Sequence, residues 1–272
     1  MTSLADAFSL YPLPLREQRL LMQSITGDSM TTLVGFTERP VDPTALNHFQ
    51  QLCQRRLDGE PIAYLTGYRE FYGLSFAVDP RVLIPRPETE GLVDWALTLG
   101  PAQGPWRVLE LGTGSGAIAI TLKHQRPAWQ ITATDRSVDA LALARHNATR
   151  LVDDRLIWHS GNWFSALTEE TPPFDLIIAN PPYIDPLSPY LHQGDLRFEP
   201  MTALVADHHG MADLQHLIQQ APAHLVRGGH LLLEHGHDQG QSCHTAMSQA
   251  GFTATTRQDL AGLDRLTGGV FQ

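Results

Sequence analysis

The chain has 272 residues, 42% of them hydrophobic, enough for well-formed cores in one large domain plus a smaller one. Its 19 Lys and Arg against 29 Asp and Glu give a formal net charge of −10 with no basic run. Duplex binding rewards the opposite sign, so nucleic acid is disfavoured as the main substrate. Two distant cysteines, no apolar run of about 18 residues and no basic-then-apolar leader argue against a disulfide framework, a membrane span and secretion. A soluble, cytoplasmic protein with no membrane partner is expected.

Residues 1–66 read as a small helical domain. Leu15, Leu20, Leu21 and Ile25 lie along one face of a first helix. After Asp42-Pro43, the residues Leu46, Phe49, Cys53 and Leu57 form a second stripe that stops at Gly59. Cys53 is thereby placed in a core rather than at a nucleophilic site. The region is too small for a rich active site and suits recognising a partner or covering a cleft. Residues 67–86 follow as a hairpin linker, with aromatic and β-branched residues around Gly73. In "RVLIPRPETE", Pro87 suits a first helical position, and Glu88 and Glu90 suit the positive end of the helix that begins there. Leu92, Trp95, Ala96 and Leu99 supply its buried face, and Arg86 reads either as a surface charge at its start or as a residue aimed into the neighbouring cleft, the first being favoured.

From about residue 106, strands and helices alternate. The strands are "RVLELG", "QITATD", "RLIWHSG", "FDLIIA" and "HLLLEHG". Helices open at Ala117, run through Leu141 and Ala144, and bury Leu214, Leu217 and Ile218. Two strands joined by a loop close the chain. This alternation predicts an α/β domain over residues 87–272, with a doubly wound, mostly parallel sheet and ligands at the carboxyl ends of its strands.

Two stretches carry chemistry. Gly112-Thr113-Gly114-Ser115-Gly116 lies between a strand and a helix, where glycines let a ligand approach the backbone. Asp135 ends the next strand, where a carboxylate accepts both hydroxyls of a ribose. The spacing up to Ala117 also fits a dinucleotide fingerprint, so a nicotinamide dehydrogenase stays open. Glu110, placed for a cationic amino-acid end, and the absence of a second mononucleotide-binding half favour S-adenosylmethionine.

The second stretch is Asn180-Pro181-Pro182-Tyr183. Two prolines cannot continue a sheet ladder, so the strand "FDLIIA" stops there. Asn180 is left at the strand's carboxyl end beside a rigid turn. Its side-chain oxygen and the Pro181 carbonyl can accept the two hydrogens of a planar NH2 group, and Tyr183 can stack on its face. Asp195, Arg197 and Glu199 form a charged loop after this corner, either solvated or facing a protein. Thirteen histidines include no Cys/His framework, so no metal site is expected.

Together "LELGTGSG", Asp135, "NPPY", "PRPETE", "LRFEP" and "LLLEHGHDQG" make the chain resemble the protein N5-glutamine methyltransferases that modify bacterial peptide-chain release factors. The resemblance covers essentially the whole chain. "NPPY" alone is shared with adenine-N6 and guanine-N2 methyltransferases, which leaves a nucleobase-amine methyltransferase as the alternative; "PRPETE" is far more specific. The resemblance implies a seven-stranded Rossmann-like methyltransferase sheet and S-adenosyl-L-methionine as cofactor. Gly112, Thr113, Gly114, Ser115 and Gly116 would contact that cofactor, with Asp135 on the ribose, Trp163 by the adenine and Asn180 touching cofactor and substrate. Asn180, Pro181, Pro182 and Tyr183 would grip the glutamine of the Gly-Gly-Gln motif of class 1 release factors, with Asn180 and Pro181 the catalytic pair. A monomer with a protein substrate is expected. His237 stands where the family usually has Trp, and residues 208–211 depart from its pattern.

Overall fold

Short amphipathic segments, punctuated by caps, build the helical part of the chain: α1 (Leu4–Ser9), α2 (Leu15–Thr26), α3 (Met30–Gly35), α4 (Pro43–Leu57) and α5 (Ile62–Thr66). The computed structural model describes residues 2–272. Ser3 and Asp6 form a capping box on α1, Ser29 caps α3, and Asp42 caps α4 with Pro43 at its first position. Leu21, Met22, Leu33, Phe49 and Cys53 are buried together, and Phe8 meets Phe49 edge-on at 5.9 Å. Burial pushes the Cys53 thiol up to about 12, which fits a packing residue and not a nucleophile. Leu15 and Leu57 are exposed, contrary to the stripes read from sequence, because each is the terminal residue of its helix.

This unit extends to Tyr68 and also takes in His192–Phe198, a segment from late in the chain. Arg56 bonds Glu17 at 2.7 Å and Asp195 at 3.4 Å, and Arg197 donates to the Asp58 carbonyl at 2.8 Å. The charged loop is thus part of a packed unit rather than simply solvated.

The second unit, Arg69–Leu191 with Glu199–Gln272, holds the sheet. A hairpin of β1 (Tyr68–Phe71) and β2 (Leu74–Ala77) turns at Tyr72 and Gly73, both at positive φ, the geometry that matches strand twist. Then follow α6 (Glu90–Leu99), β3 (Arg107–Leu111), α7 (Ala117–Gln125), β4 (Gln130–Asp135), α8 (Val138–Val152), β5 (Ile157–Ser160) and β6 (Phe174–Ala179). The chain closes with α9 (Met201–Leu204), α10 (Ala212–Gln220), β7 (Leu225–Glu234), α11 (Gly240–Gln249), β8 (Phe252–Gln258) and β9 (Asp264–Phe271). Pro87 opens a 3-10 turn, Pro87–Thr89, that leads into α6.

The 7-stranded sheet has the order β5-β4-β3-β6-β7-β9-β8. Its first five strands are parallel, while β9 runs antiparallel to both β7 and β8. Successive residues of a strand feed opposite layers. Val108, Ile131, Ile178 and Leu232 pack in a core with residues of α6 and α7, and Leu109, Ile177, Leu231 and Leu233 pack in another with residues of α10 and α11. The expected strand after Gly228-Gly229 begins earlier, at Leu225, because the two glycines are absorbed in a bulge where the register with β6 shifts. Among the described residues, no helix is long and apolar enough to cross a membrane.

Candidate active site

Strand order reverses between β3 and β6, the place where open α/β sheets leave a crevice. Leu111 at the end of β3 is the register partner of Thr134 in β4 and of Ala179 in β6. Gly112, Asp135 and Asn180, the residues that follow, therefore leave the sheet side by side. The amides of Gly112 and Thr113 both donate to the Thr134 carbonyl at 2.9 Å, which folds the glycine loop back over β4. The Gly114 amide donates to Oδ2 of Asp135 at 2.9 Å, and the Ser137 amide to Oδ1 at 2.8 Å. Each carboxylate oxygen keeps a lone pair for an incoming hydroxyl. Buried Asn147 of α8 accepts from the Ala77 amide at 2.8 Å and donates to the Ser115 carbonyl at 2.9 Å, tying the hairpin to the loop.

A cavity of about 260 Å³ lies over this edge. Of the residues singled out in the sequence, Gly112, Thr113, Gly114, Ser115, Asp135, Trp163, Asn180 and Pro182 line it. Val82, Leu83 and Pro85 add an apolar wall. Gly112 has φ 73, a conformation strained for other residues, and a Cβ there would press on the Trp163 ring at 3.1 Å, so glycine suits the close approach of the indole to the loop. The Trp163 indole N–H donates to Asp213 at 3.0 Å, which fixes the plane of the ring.

Gly116, Pro181 and Tyr183 are not on the cavity wall. Gly116 starts α7 with φ 84 and packs under Ile120 and Ala144. Tyr183 packs against the core that holds Leu231 and Leu233, and its hydroxyl donates to Glu234 at 3.2 Å. Burial holds that hydroxyl well above the usual phenol range.

Thr89 and Glu234 went unread in the sequence, and Arg86, Glu199 and Glu110 have partners there that it did not indicate. The Arg86 guanidinium is paired with Glu199 and lines the cavity, which fits the cleft-facing of its two readings rather than the favoured surface charge. Glu199 is 4% exposed and also accepts from the Ile84 amide at 3.0 Å, so it is no solvated loop residue but the clamp on the "RPETE" segment. Asn180 Nδ2 donates to the Thr89 hydroxyl at 3.1 Å, and that hydroxyl donates to Glu234 at 2.7 Å. Glu110, also on the wall, accepts from the Thr113 hydroxyl at 2.6 Å and the Ala119 amide at 3.0 Å. Burial pushes its carboxyl up to about 8. Among the described residues, no three His, Cys, Asp or Glu side chains come together as a metal site. His235 is buried against Thr267 at 2.8 Å.

A mostly parallel sheet with an antiparallel strand beside β7, a glycine loop after β3, an acid after β4 and an Asn-Pro-Pro-Tyr corner after β6 define the class: a Rossmann-like methyltransferase. The family described as "Methyltransferase small domain" matches residues 99–191, and that described as "PrmC N-terminal domain" matches residues 4–67. Proteins named release factor glutamine methyltransferase match nearly end to end. That of Salmonella typhimurium is 46% identical over 259 residues, 95% of this chain and 92% of the relative. That of Escherichia coli is 46% identical over 255 residues, 93% and 91% of the two chains. The Bordetella pertussis protein is 44% identical over 270 residues, 99% of both. The chain belongs to the release factor glutamine methyltransferase family. A methyltransferase from Pyrococcus furiosus shares the fold at 18% identity with a TM-score of 0.55, covering 80% of this chain and 96% of that one.

Proposed function

We propose that the protein transfers a methyl group from S-adenosyl-L-methionine to the side-chain amide nitrogen (N5) of the glutamine in the Gly-Gly-Gln motif of bacterial class 1 release factors. It would act as a monomer in the cytoplasm, supporting translation termination. The observation that carries this reading is the register of β3 and β6. It sets Gly112 beside Asn180, which supports a nucleoside held at the first next to an amide held at the second.

The residues present fit the cofactor. The Asp135 carboxylate, oriented by two backbone amides, suits a vicinal diol, and the Trp163 ring against Gly112 offers a flat apolar surface for a base. Glu110 and the glycine loop line the same cavity. S-adenosyl-L-methionine supplies a methyl group already activated on a sulfonium.

What remains for the protein is alignment and exclusion of water. An amide nitrogen is a poor nucleophile because its lone pair is delocalised into the carbonyl. Asn180 Oδ1 accepts one N–H of the glutamine amide, and the Pro181 carbonyl, which lies between the wall residues Asn180 and Pro182, accepts the other; together they orient the nitrogen toward the reacting centre. The same two oxygens stabilise positive charge as it develops on that nitrogen. Proton loss follows transfer, so no side-chain general base is needed. Tyr183, behind the wall, holds the corner rigid through Glu234. The helical region, residues 1–66, docks the folded release factor, residues 67–86 link it to the catalytic domain, and residues 87–272 carry the transfer chemistry.

A nucleobase amine presents the same planar NH2, but a net charge of −10 opposes nucleic acid. Incubation with methyl-labelled cofactor and a mixture of a class 1 release factor, DNA and RNA separates the two readings. Label on the factor is the expected result; label on nucleic acid would overturn it.

A further inference from the structure

Resting on the reading of Asn180 as acceptor of the substrate amide, we propose that Thr89 and Glu234 are positioning residues that decide which end of the Asn180 side chain faces the substrate. The two ends of an asparagine amide are nearly the same shape, one accepting and the other donating hydrogen bonds. Packing alone hardly distinguishes them; a polar neighbour does.

Thr89 is that neighbour. It is 5% exposed, lines the cavity, and stands 3.1 Å from Asn180 Nδ2. A hydroxyl has one hydrogen. Burial pushes the Glu234 carboxyl up to about 7; ionised above that pH it only accepts, and the Thr89 hydrogen goes to its Oε2 at 2.7 Å. Thr89 is left as an acceptor toward Asn180. The NH2 end is drawn to it, and Oδ1 is turned free for the glutamine N–H. Oε1 of Glu234 accepts from Tyr183 at 3.2 Å, so one carboxylate holds both the first and the last residue of the corner.

The burial of Glu234 supports this assignment. It is 1% exposed and follows Leu231, Leu232 and Leu233 at the end of β7. Packing alone would be served as well by an apolar side chain there, without the desolvation cost of a carboxylate.

The test uses the full chain with Thr89→Val, which removes the hydroxyl and keeps its shape; Thr89→Ser, which keeps it; Glu234→Leu; and the double variant T89V/E234L. Single-turnover methylation of a release factor at saturating cofactor, cofactor affinity by calorimetry and thermal melting are measured for each. T89V and E234L should each slow transfer by about tenfold or more at unchanged cofactor affinity, the loss for an oriented hydrogen bond. T89S should recover most of what T89V loses. Because the two residues act in series, the double variant should be no slower than the slower single one. A T89V rate within about twofold of the unmutated chain, or a double loss equal to the product of the single losses, would contradict the assignment. If T89V fails to fold, E234L carries the same comparison. A readout needing no substrate is the exchange of the Asn180 side-chain NH2 protons by NMR. They should be protected in the unmutated chain and lose protection in T89V and E234L, and equal exchange in all three overturns the proposal. If the unmutated chain leaves the release factor unmethylated, the functional reading fails, and the positioning of Asn180 is still decided by that exchange.

Discussion

The Gly114 amide donates to the Asp135 carboxylate at 2.9 Å, so the loop after β3 and the end of β4 form one structural unit. The acid that accepts ribose hydroxyls also holds the backbone that approaches the cofactor. Its second oxygen, engaged by the Ser137 amide at 2.8 Å, leaves the carboxylate little freedom to rotate.

Asp135→Ala should therefore weaken S-adenosyl-L-methionine binding by roughly 10- to 100-fold while the domain stays folded, the range for hydrogen bonds to a charged group. Asp135→Asn, which keeps one acceptor, should fall between. Calorimetry on the folded variants checks this, and unchanged affinity would remove Asp135 from the cofactor site.

Asn180→Ala should cost about 10²–10³-fold in single-turnover rate at saturating cofactor, as for loss of one preorganised hydrogen-bonding group. Asn180→Asp keeps an acceptor but loses the NH2 that Thr89 receives, so it too should be impaired. If both variants ran at the unmutated rate, the corner would be only a strand terminator.

Glu110 should make the fold less stable as pH rises. Its carboxyl, about 4.5 when unfolded, is pushed up to about 8 by burial in the folded protein. Between those values the unfolded chain has released a proton that the folded chain retains. The contribution is fully present below about pH 4.5 and is lost as pH rises toward about 8, at up to about 1.4 kcal/mol per pH unit. Urea midpoints across this window should decline less steeply in Glu110→Gln, and identical slopes would show that Glu110 is ionised in the fold.

Deleting residues 1–66 should impair methylation of an intact release factor more than it impairs cofactor binding. The truncation also strips Arg56 and Asp58 from Asp195 and Arg197, so calorimetry with the cofactor serves as the control for a folded catalytic unit. Equal methylation rates with and without the helices would exclude them from docking.

The parallel part of the sheet was legible because short strand-like runs alternate there with helical periods, and the glycine loop, Asp135 and the Asn-Pro-Pro corner announce strand ends by their backbone chemistry. What stayed hidden depends on distant pairing. Arg86 and Glu199 are 113 positions apart, and Thr89 and Glu234 are 145 apart, so no local pattern marks either as a pair. Helix α11 was missed because "GQSCHTAMSQ" buries only Gly240, Cys243 and Met247, too sparse a stripe to stand out. The bond from the Tyr183 hydroxyl to Glu234 was hidden by distance too, since that carboxylate lies 51 positions further along the chain.

The central claim is that methyl transfer goes to one glutamine side chain of a release factor. Peptide mass spectrometry of a class 1 factor, after incubation with this protein and S-adenosyl-L-methionine, tests it most directly. One added methyl on the glutamine of Gly-Gly-Gln, absent when that glutamine is replaced and about 10²–10³-fold slower to appear with Asn180→Ala, is the predicted result. An unmodified Gly-Gly-Gln peptide, or a methyl on any other residue, would contradict it.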